Sequence, residues 1–383
     1  MTTANPFRYG GVARDLHFAN REDELRTLKQ NIRSGQNVVV ISPRRYGKTS
    51  LVDRAITQLR AQGILVAYLD LFRTPTKSQL ADDLAQALYD GLVSRVERAI
   101  KKAVAFFSHL PVAPRFTVTE DGRPAVEFTA FASGEDLDKT LAGLLELPGR
   151  IAKDRDRRVA LVLDEFQEIV AIDEGLVGVM RAIFQDQDDV AHVFVGSKRH
   201  LMEMLFMDKT QHLYRAAKPL PVGPIAPQKF ARFIRRRFDA SDEVITDETV
   251  TRVLALTGGR PYETQALCSF VWEQAREEGA PATPEVLDRA LVRLLEAESA
   301  RATAVWDGLS RHQRALLRAV AAEGNGIYSE GYRRRHKLGS ASSVTTSIKA
   351  LEAKELAQGS GGNYEVADVF VGEWIRRSGG RPA

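Results

Sequence analysis

The stretch that most restricts the fold is VVVISPRRYGKTS, residues 38–50. Four β-branched apolar residues, Val38 to Ile41, read as a short buried strand. A polar turn, Ser34-Gly35-Gln36-Asn37, precedes them, and from Thr49 to about Ala61 the apolar residues Leu51, Ala55, Ile56 and Leu59 share one helical face. The chain thus passes from strand to helix through one short loop.

That loop, Ser42 to Thr49, has the length and ending of the pattern G-x-x-x-x-G-K-[ST]. In such a loop backbone N–H groups wrap phosphate oxygens, the Lys reaches the outer phosphates, the Ser or Thr hydroxyl holds Mg²⁺, and the helix start adds a positive dipole. Gly47, Lys48 and Thr49 are in place, while Ser42 stands where the first Gly belongs. Serine keeps the N–H, and it is strained only if the position demands a positive φ. The expected nucleotide contacts run through Ser42, Pro43, Arg44, Arg45, Tyr46, Gly47, Lys48, Thr49 and Ser50, with ATP and Mg²⁺ as the bound pair.

A second apolar run, Val159 to Leu163, ends in Asp164-Glu165. Continuous apolar runs of this kind belong to parallel strands covered on both faces. At the carboxyl edge of such a sheet Asp164 can share the Mg²⁺ shell and Glu165 can polarise an attacking water. A third run, Phe194-Val195-Gly196, ends in Ser197-Lys198-Arg199. Ser197 is placed to orient water and Arg199 to sense phosphate charge. These strands alternate with helical patterns, which implies an α/β layered fold with a parallel sheet. The seven histidines are scattered, and the single cysteine, Cys268, lies in an apolar context that reads as core.

With these come Phe18-Ala19-Asn20-Arg21-Glu22-Asp23-Glu24-Leu25 and Gly258-Gly259-Arg260-Pro261. The ordered set resembles the archaeal-type ATPases, a branch of the STAND and AAA+ P-loop ATPases related more distantly to origin-recognition initiators. The resemblance implies a P-loop NTPase with an AAA+/STAND-like parallel sheet, a helical lid domain and a C-terminal winged helix. It also implies that Phe18 and Arg21 lie beside the adenine, and that Pro261 starts a lid helix pressed on the nucleotide. Two departures stand out: Ser42 itself, and the lack of an assignable arginine finger, so an oligomer is left open.

The organisation expected is an ATPase core over 1–220, a helical lid over 221–305 and a winged helix over 306–383. Within the core a long helix is expected from about Ser78 to Phe107, and a hairpin-like insertion near 108–134, where prolines flank two short alternating runs. Strand signals stop after Pro219 to Pro227.

Charge bears on the second partner. The net charge is +4, and from Arg301 onward 13 Lys and Arg face 8 Asp and Glu. A basic cluster, Arg333, Arg334, Arg335 and Lys337, precedes a helix from Ser340 to Lys354, whose outward side is read as Ser343, Thr346 and Lys349. Such a helix can enter a major groove of double-stranded DNA while the cluster touches phosphates. The alternatives are a winged helix that packs on the ATPase core as a switch element moved by nucleotide, with its charges solvated, and a STAND-type signalling or defence scaffold acting through a protein partner; all stay open here. No apolar run approaches the ~18 residues needed to cross a bilayer, so no membrane partner and a cytoplasmic location are expected.

Overall fold

β1 (Val38–Ile41) is the hub of the sheet. In the computed structural model, which describes residues 4–13, 15–93, 107–108, 110–113, 115–118, 124–127 and 133–379, it lies between β6 (Val190–Gly196) and β7 (Lys218–Pro221). β5 (Val159–Asp164) pairs with β6, and β2 (Leu65–Asp70) closes the other edge, giving the all-parallel order β2-β5-β6-β1-β7.

Both faces are covered, as the apolar runs require. Val39, Ile41, Leu161, Leu163 and Phe194 pack on one side in a cluster that includes residues of α3 (Lys77–Leu92), α4 (Gly134–Arg155), α5 (Ile169–Phe184) and α6 (Arg199–Met207). The alternate residues Val38, Val40, Ala160, Val162, Val193 and Val195 pack on the other side with α1 (Glu22–Arg33) and α2 (Lys48–Ala61). Burying each Val or Leu contributes about 1.5–3 kcal/mol.

β7 arises where strand signals were expected to end. Its prolines, Pro219 and Pro221, alternate with Lys218, whose N–H donates to the Asn37 carbonyl at 2.9 Å, and are followed by Val222, which donates to Ile41 at 3.0 Å. The missing N–H groups therefore fall on the open side of an edge strand, where proline is tolerated.

The helix expected from Ser78 to Phe107 is shorter. α3 ends at Leu92, and Val93 is extended (φ −91°, ψ 125°). Gly91 sits in its last turn and allows a close approach, since a Cβ there would lie 2.3 Å from the Val66 carbonyl oxygen. Residues 94–106 lie outside the described residues. The two alternating runs of 108–134 form β3 (Arg115–Val118) and β4 (Pro124–Glu127), an antiparallel pair.

The chain divides into two units, Val12–Pro224, which holds the sheet, and Met1–Gly11 with Ile225–Ala383. The second is helical: α7 (Pro227–Asp239), α8 (Asp247–Thr257), α9 (Pro261–Glu278) and α10 (Pro284–Asp307), then α11 (Arg311–Ala322), α12 (Glu330–Arg335), α13 (Ala341–Ala353), the antiparallel hairpin β8 (Ala357–Ser360) and β9 (Asn363–Val366), and α14 (Val369–Ser378). Val344, Ile348 and Leu351 of α13 are buried, as their spacing predicts. Asn5 anchors the N-terminal segment to α9 through Ser269 Oγ (2.8 Å) and Glu273 (2.9 Å). Cys268 is buried. Among the described residues no helix is long and apolar enough to cross a membrane.

Candidate active site

Two residues bend the loop between β1 and α2. Arg45 (φ 68°) and Gly47 (φ 82°) both adopt left-handed backbone, on either side of the buried Tyr46. Gly47 caps α2 without a side chain, and the first turn of that helix holds no acid. Its free N–H groups and dipole are thus left to an anion. Ser42 has an ordinary negative φ, is fully buried, and donates its N–H to the Gly196 carbonyl at 3.3 Å. The first loop position therefore does not require glycine in this fold.

Strand order brings the charged groups together. β5 and β1 flank β6, so the ends of all three strands adjoin. Lys48 Nζ lies 2.5 Å from Glu165 Oε1, although 117 residues separate them. Glu165 Oε2 accepts from Ser197 Oγ (2.6 Å) and Gln167 Nε2 (2.7 Å). Asp164 Oδ1 accepts from the Glu165 N–H (2.9 Å), and its Oδ2 from the Tyr68 hydroxyl (2.7 Å). Glu165 itself is left-handed (φ 50°, ψ 43°), a conformation that costs a non-glycine residue about 1–2 kcal/mol.

The two carboxyls are pushed apart. Burial raises Asp164 above the ordinary carboxylate range, against the pull of Lys48 and the Tyr68 bond. Burial also opposes the charge on Glu165, but Lys48 and the bonds from Lys48, Ser197 and Gln167 outweigh it and hold Glu165 below that range. Neighbouring acids with divergent environments suit different tasks. Thr49, at the start of α2, and Asp164 offer the hard oxygen donors that Mg²⁺ prefers. Among the described residues no cluster of three or more His, Cys, Asp or Glu side chains could hold a metal by itself. A cation here would rely on substrate phosphates and water for its remaining ligands.

The other expected site residues are placed as follows. Pro43 is half-buried, Arg44 and Arg45 are exposed on the loop, and Ser50 Oγ accepts the Ala13 N–H at 2.9 Å. The Phe18 ring lies under the Arg54 guanidinium at 4.7 Å. Arg21, 4% exposed, donates to the carbonyls of Tyr46 (2.9 Å) and Gly223 (2.6 Å) and pairs with Glu24 (2.8 Å). Arg199 is 71% exposed and pairs with Glu203 at 2.8 Å, outside the Lys48–Glu165–Ser197 cluster. Pro261 is the first residue of α9 in the other unit. Its neighbour Arg260 is 5% exposed and ties α9 to the hairpin, donating to the Ala367 carbonyl (2.7 Å) and pairing with Glu365 (2.7 Å).

Near α13 much of the basic cluster is neutralised locally. Arg335 and His336 both pair with Glu323 at 2.7 Å, and Arg334 pairs with Glu330 at 3.0 Å. Arg333 donates to the carbonyls of Tyr328 and Gly339, and Lys337 has a left-handed backbone. Thr346 and Lys349 are exposed and Ser343 is half-buried. Sequence reading missed Tyr68 and Gln167. Gln167 follows the Asp-Glu pair closely enough to be suspected, whereas Tyr68 is revealed only by strand register, which sets it beside Val162.

Three comparisons bear on this geometry. The solved Walker-type ATPase PABY2304 of Pyrococcus abyssi superposes with a TM-score of 0.68 at 16% identity, over 97% of this chain and 99% of that one. The ORC2 protein of Aeropyrum pernix, solved in ADPNP-ADP complexes, gives 0.55 at 15% identity, over 98% and 100%. These likenesses show the fold: a P-loop α/β core with a five-stranded parallel sheet and a helical region. Among curated proteins, an uncharacterized WD repeat-containing protein of Synechocystis is 22% identical over 313 residues, 77% of this chain, which spans only 23% of that protein. Residues 303–377 match a probable winged helix domain, in agreement with α11–α13 and the β8–β9 hairpin. Residues 18–267 match the model of an ATPase domain found predominantly in Archaea, and on that match the chain belongs to this ATPase family.

Proposed function

We propose that the chain binds ATP with Mg²⁺, hydrolyses it to ADP and phosphate, and uses the nucleotide state to reposition a lid and winged helix. One observation carries the reading: Lys48, Glu165 and Ser197 converge from three adjacent strand ends. Lys48 neutralises phosphate oxygens, and Glu165 orients the attacking water and accepts its proton. Thr49 and Asp164 hold Mg²⁺, which when bound offsets charge on the β and γ phosphates. Water then displaces ADP from the γ phosphorus.

The switch is supported by connectivity. The chain crosses between its two units at Gly11–Val12 and Pro224–Ile225, and a Cβ added at Gly10, Gly11 or Gly223 beside the crossings would meet nothing within 4 Å. Arg260 joins the start of α9 to the hairpin, so movement of one carries the other. Purified protein with Mg-ATP should release phosphate. Lys48→Ala should lose both binding and turnover, while Glu165→Gln should keep binding and lose at least ~100-fold in kcat. Equal rates in all three proteins would remove the assignment.

For the second partner, the local neutralisation of the basic cluster favours a protein over DNA. Turnover with and without duplex DNA separates the two. Stimulation that fades with salt, and is lost on replacing Arg333, Arg334 and Lys349 by Ala, restores the DNA reading.

A further inference from the structure

Gln167 lies two residues beyond Glu165 and is 3% exposed. Its Nε2 donates to Glu165 Oε2 at 2.7 Å and to Glu168 Oε1 at 3.2 Å. Its Oε1 is buried with no hydrogen-bond partner. A buried amide oxygen left unpaired is destabilising, because it gives up water and gains no donor in exchange. Turning the amide over offers no escape, because that would set the oxygen against two carboxylates. The fold therefore keeps a costly side chain in an orientation that serves the acids.

The pocket is shaped for it. A Cβ on Gly196 would fall 2.7 Å from Gln167 Oε1 and 2.4 Å from the Met202 side chain, so glycine at the end of β6 leaves the room this amide occupies. The next residue is Ser197, the other donor to Glu165 Oε2. Two segments thus deliver one donor each to the same oxygen, and Lys48 takes the other oxygen. Fixing Oε2 from two directions sets the rotation of the carboxylate, and with it the direction in which Oε1 accepts.

Resting on the hydrolysis reading above, we propose that Gln167 is a positioning residue for that reaction: it anchors Glu165 through Oε2 so that Oε1 is held toward the phosphate loop, where water must be oriented. Gln167 touches no substrate in this scheme and acts through Glu165. Its contribution is made through the position of Glu165, and an error of about 1 Å in such a group costs on the order of 100-fold in rate.

The test is Gln167→Met, which keeps length and volume but removes both N–H donors together with the unpaired oxygen. Expected is a fall in kcat of about 10- to 100-fold, referred to folded protein. KM and the Kd for a fluorescent ATP analogue should stay within about twofold, and Tm should be unchanged or higher because an unmet polar atom is lost. Gln167→Ala should give the same loss of kcat and covers failure of the Met variant to fold. A purely structural glutamine gives the reverse pattern, lower Tm with wild-type kcat, and that result overturns the inference while leaving the hydrolysis reading intact. If the wild-type chain turns over no faster than Lys48→Ala, both fall.

Discussion

The Arg21 guanidinium donates to the Tyr46 carbonyl at 2.9 Å, which fastens the residue before α1 to the middle of the phosphate loop. The same nitrogen reaches Gly223, two residues before the chain leaves the sheet unit. Resemblance placed this arginine beside a base. In the structure it donates to the carbonyls of Tyr46 and Gly223 and pairs with Glu24, so it also bears on the shape of the loop.

Removing this side chain should loosen the loop. Arg21→Ala leaves two carbonyls without their donor and should cost about 2–4 kcal/mol of stability and roughly tenfold in nucleotide affinity. Arg21 also holds φ 120°, which glycine adopts freely. Arg21→Gly should therefore be about 1 kcal/mol more stable than Arg21→Ala, with no better affinity. Urea unfolding and ATP-analogue titration check both, and equal stability of the two variants would show that the backbone stores no strain.

The two unusual positions of the loop should respond in opposite ways. Ser42→Gly should leave nucleotide affinity within about twofold and cost up to ~1 kcal/mol, because Ser42 has negative φ and glycine only adds freedom to the unfolded chain. Gly47→Ala forces a Cβ into φ 82° and should cost ~1–2 kcal/mol and more than tenfold in affinity. Isothermal titration with ATP decides. A gain in affinity for Ser42→Gly would show that the serine is a defect.

Tyr68→Phe deletes the donor to Asp164 Oδ2 and keeps the ring. Asp164 should then be less firmly oriented, so the Mg²⁺ concentration for half-maximal turnover should rise about tenfold. Affinity for ATP without Mg²⁺ should not change. A Mg²⁺ titration of phosphate release at fixed ATP measures the first quantity.

His192 gives a pH dependence. Its ring nitrogens face Asn37 Oδ1 and Gln187 Oε1, each at 3.0 Å, and it stacks on Phe184 at 3.8 Å. Burial pushes its pKa down to about 3. Below the ordinary histidine value of about 6.5 the unfolded chain takes up a proton that the folded chain refuses, so stability falls as pH drops from 6.5 toward 3. Between pH 7 and pH 5 this contribution is about 2 kcal/mol. His192→Gln should remove that part of the slope in urea unfolding followed at the two pH values.

Much of the core was legible because local period reports burial. Val38 to Ile41 and Val159 to Leu163 read as strands covered on both faces, and Val344, Ile348 and Leu351 as the inner face of a helix. Other parts were not legible in the local pattern. β7 carries two prolines that mean a loop until its neighbour is known, and the extended backbone at Val93 interrupts a stretch whose apolar period alone reads as one helix.

By itself the sequence determined a strand–loop–helix able to cradle phosphate, acids at the end of a buried strand, and helices with a hairpin toward the C-terminus. Those follow from spacing along the chain, which fixes where a residue sits on its own element. Tertiary structure alone decided that Lys48 meets Glu165, that Tyr68 and Gln167 hold the two acids, and that Arg21 and Arg260 brace backbone within their own units. The order β5-β6-β1 makes the first of these neighbours, and no spacing within a single strand encodes which strand will lie beside it.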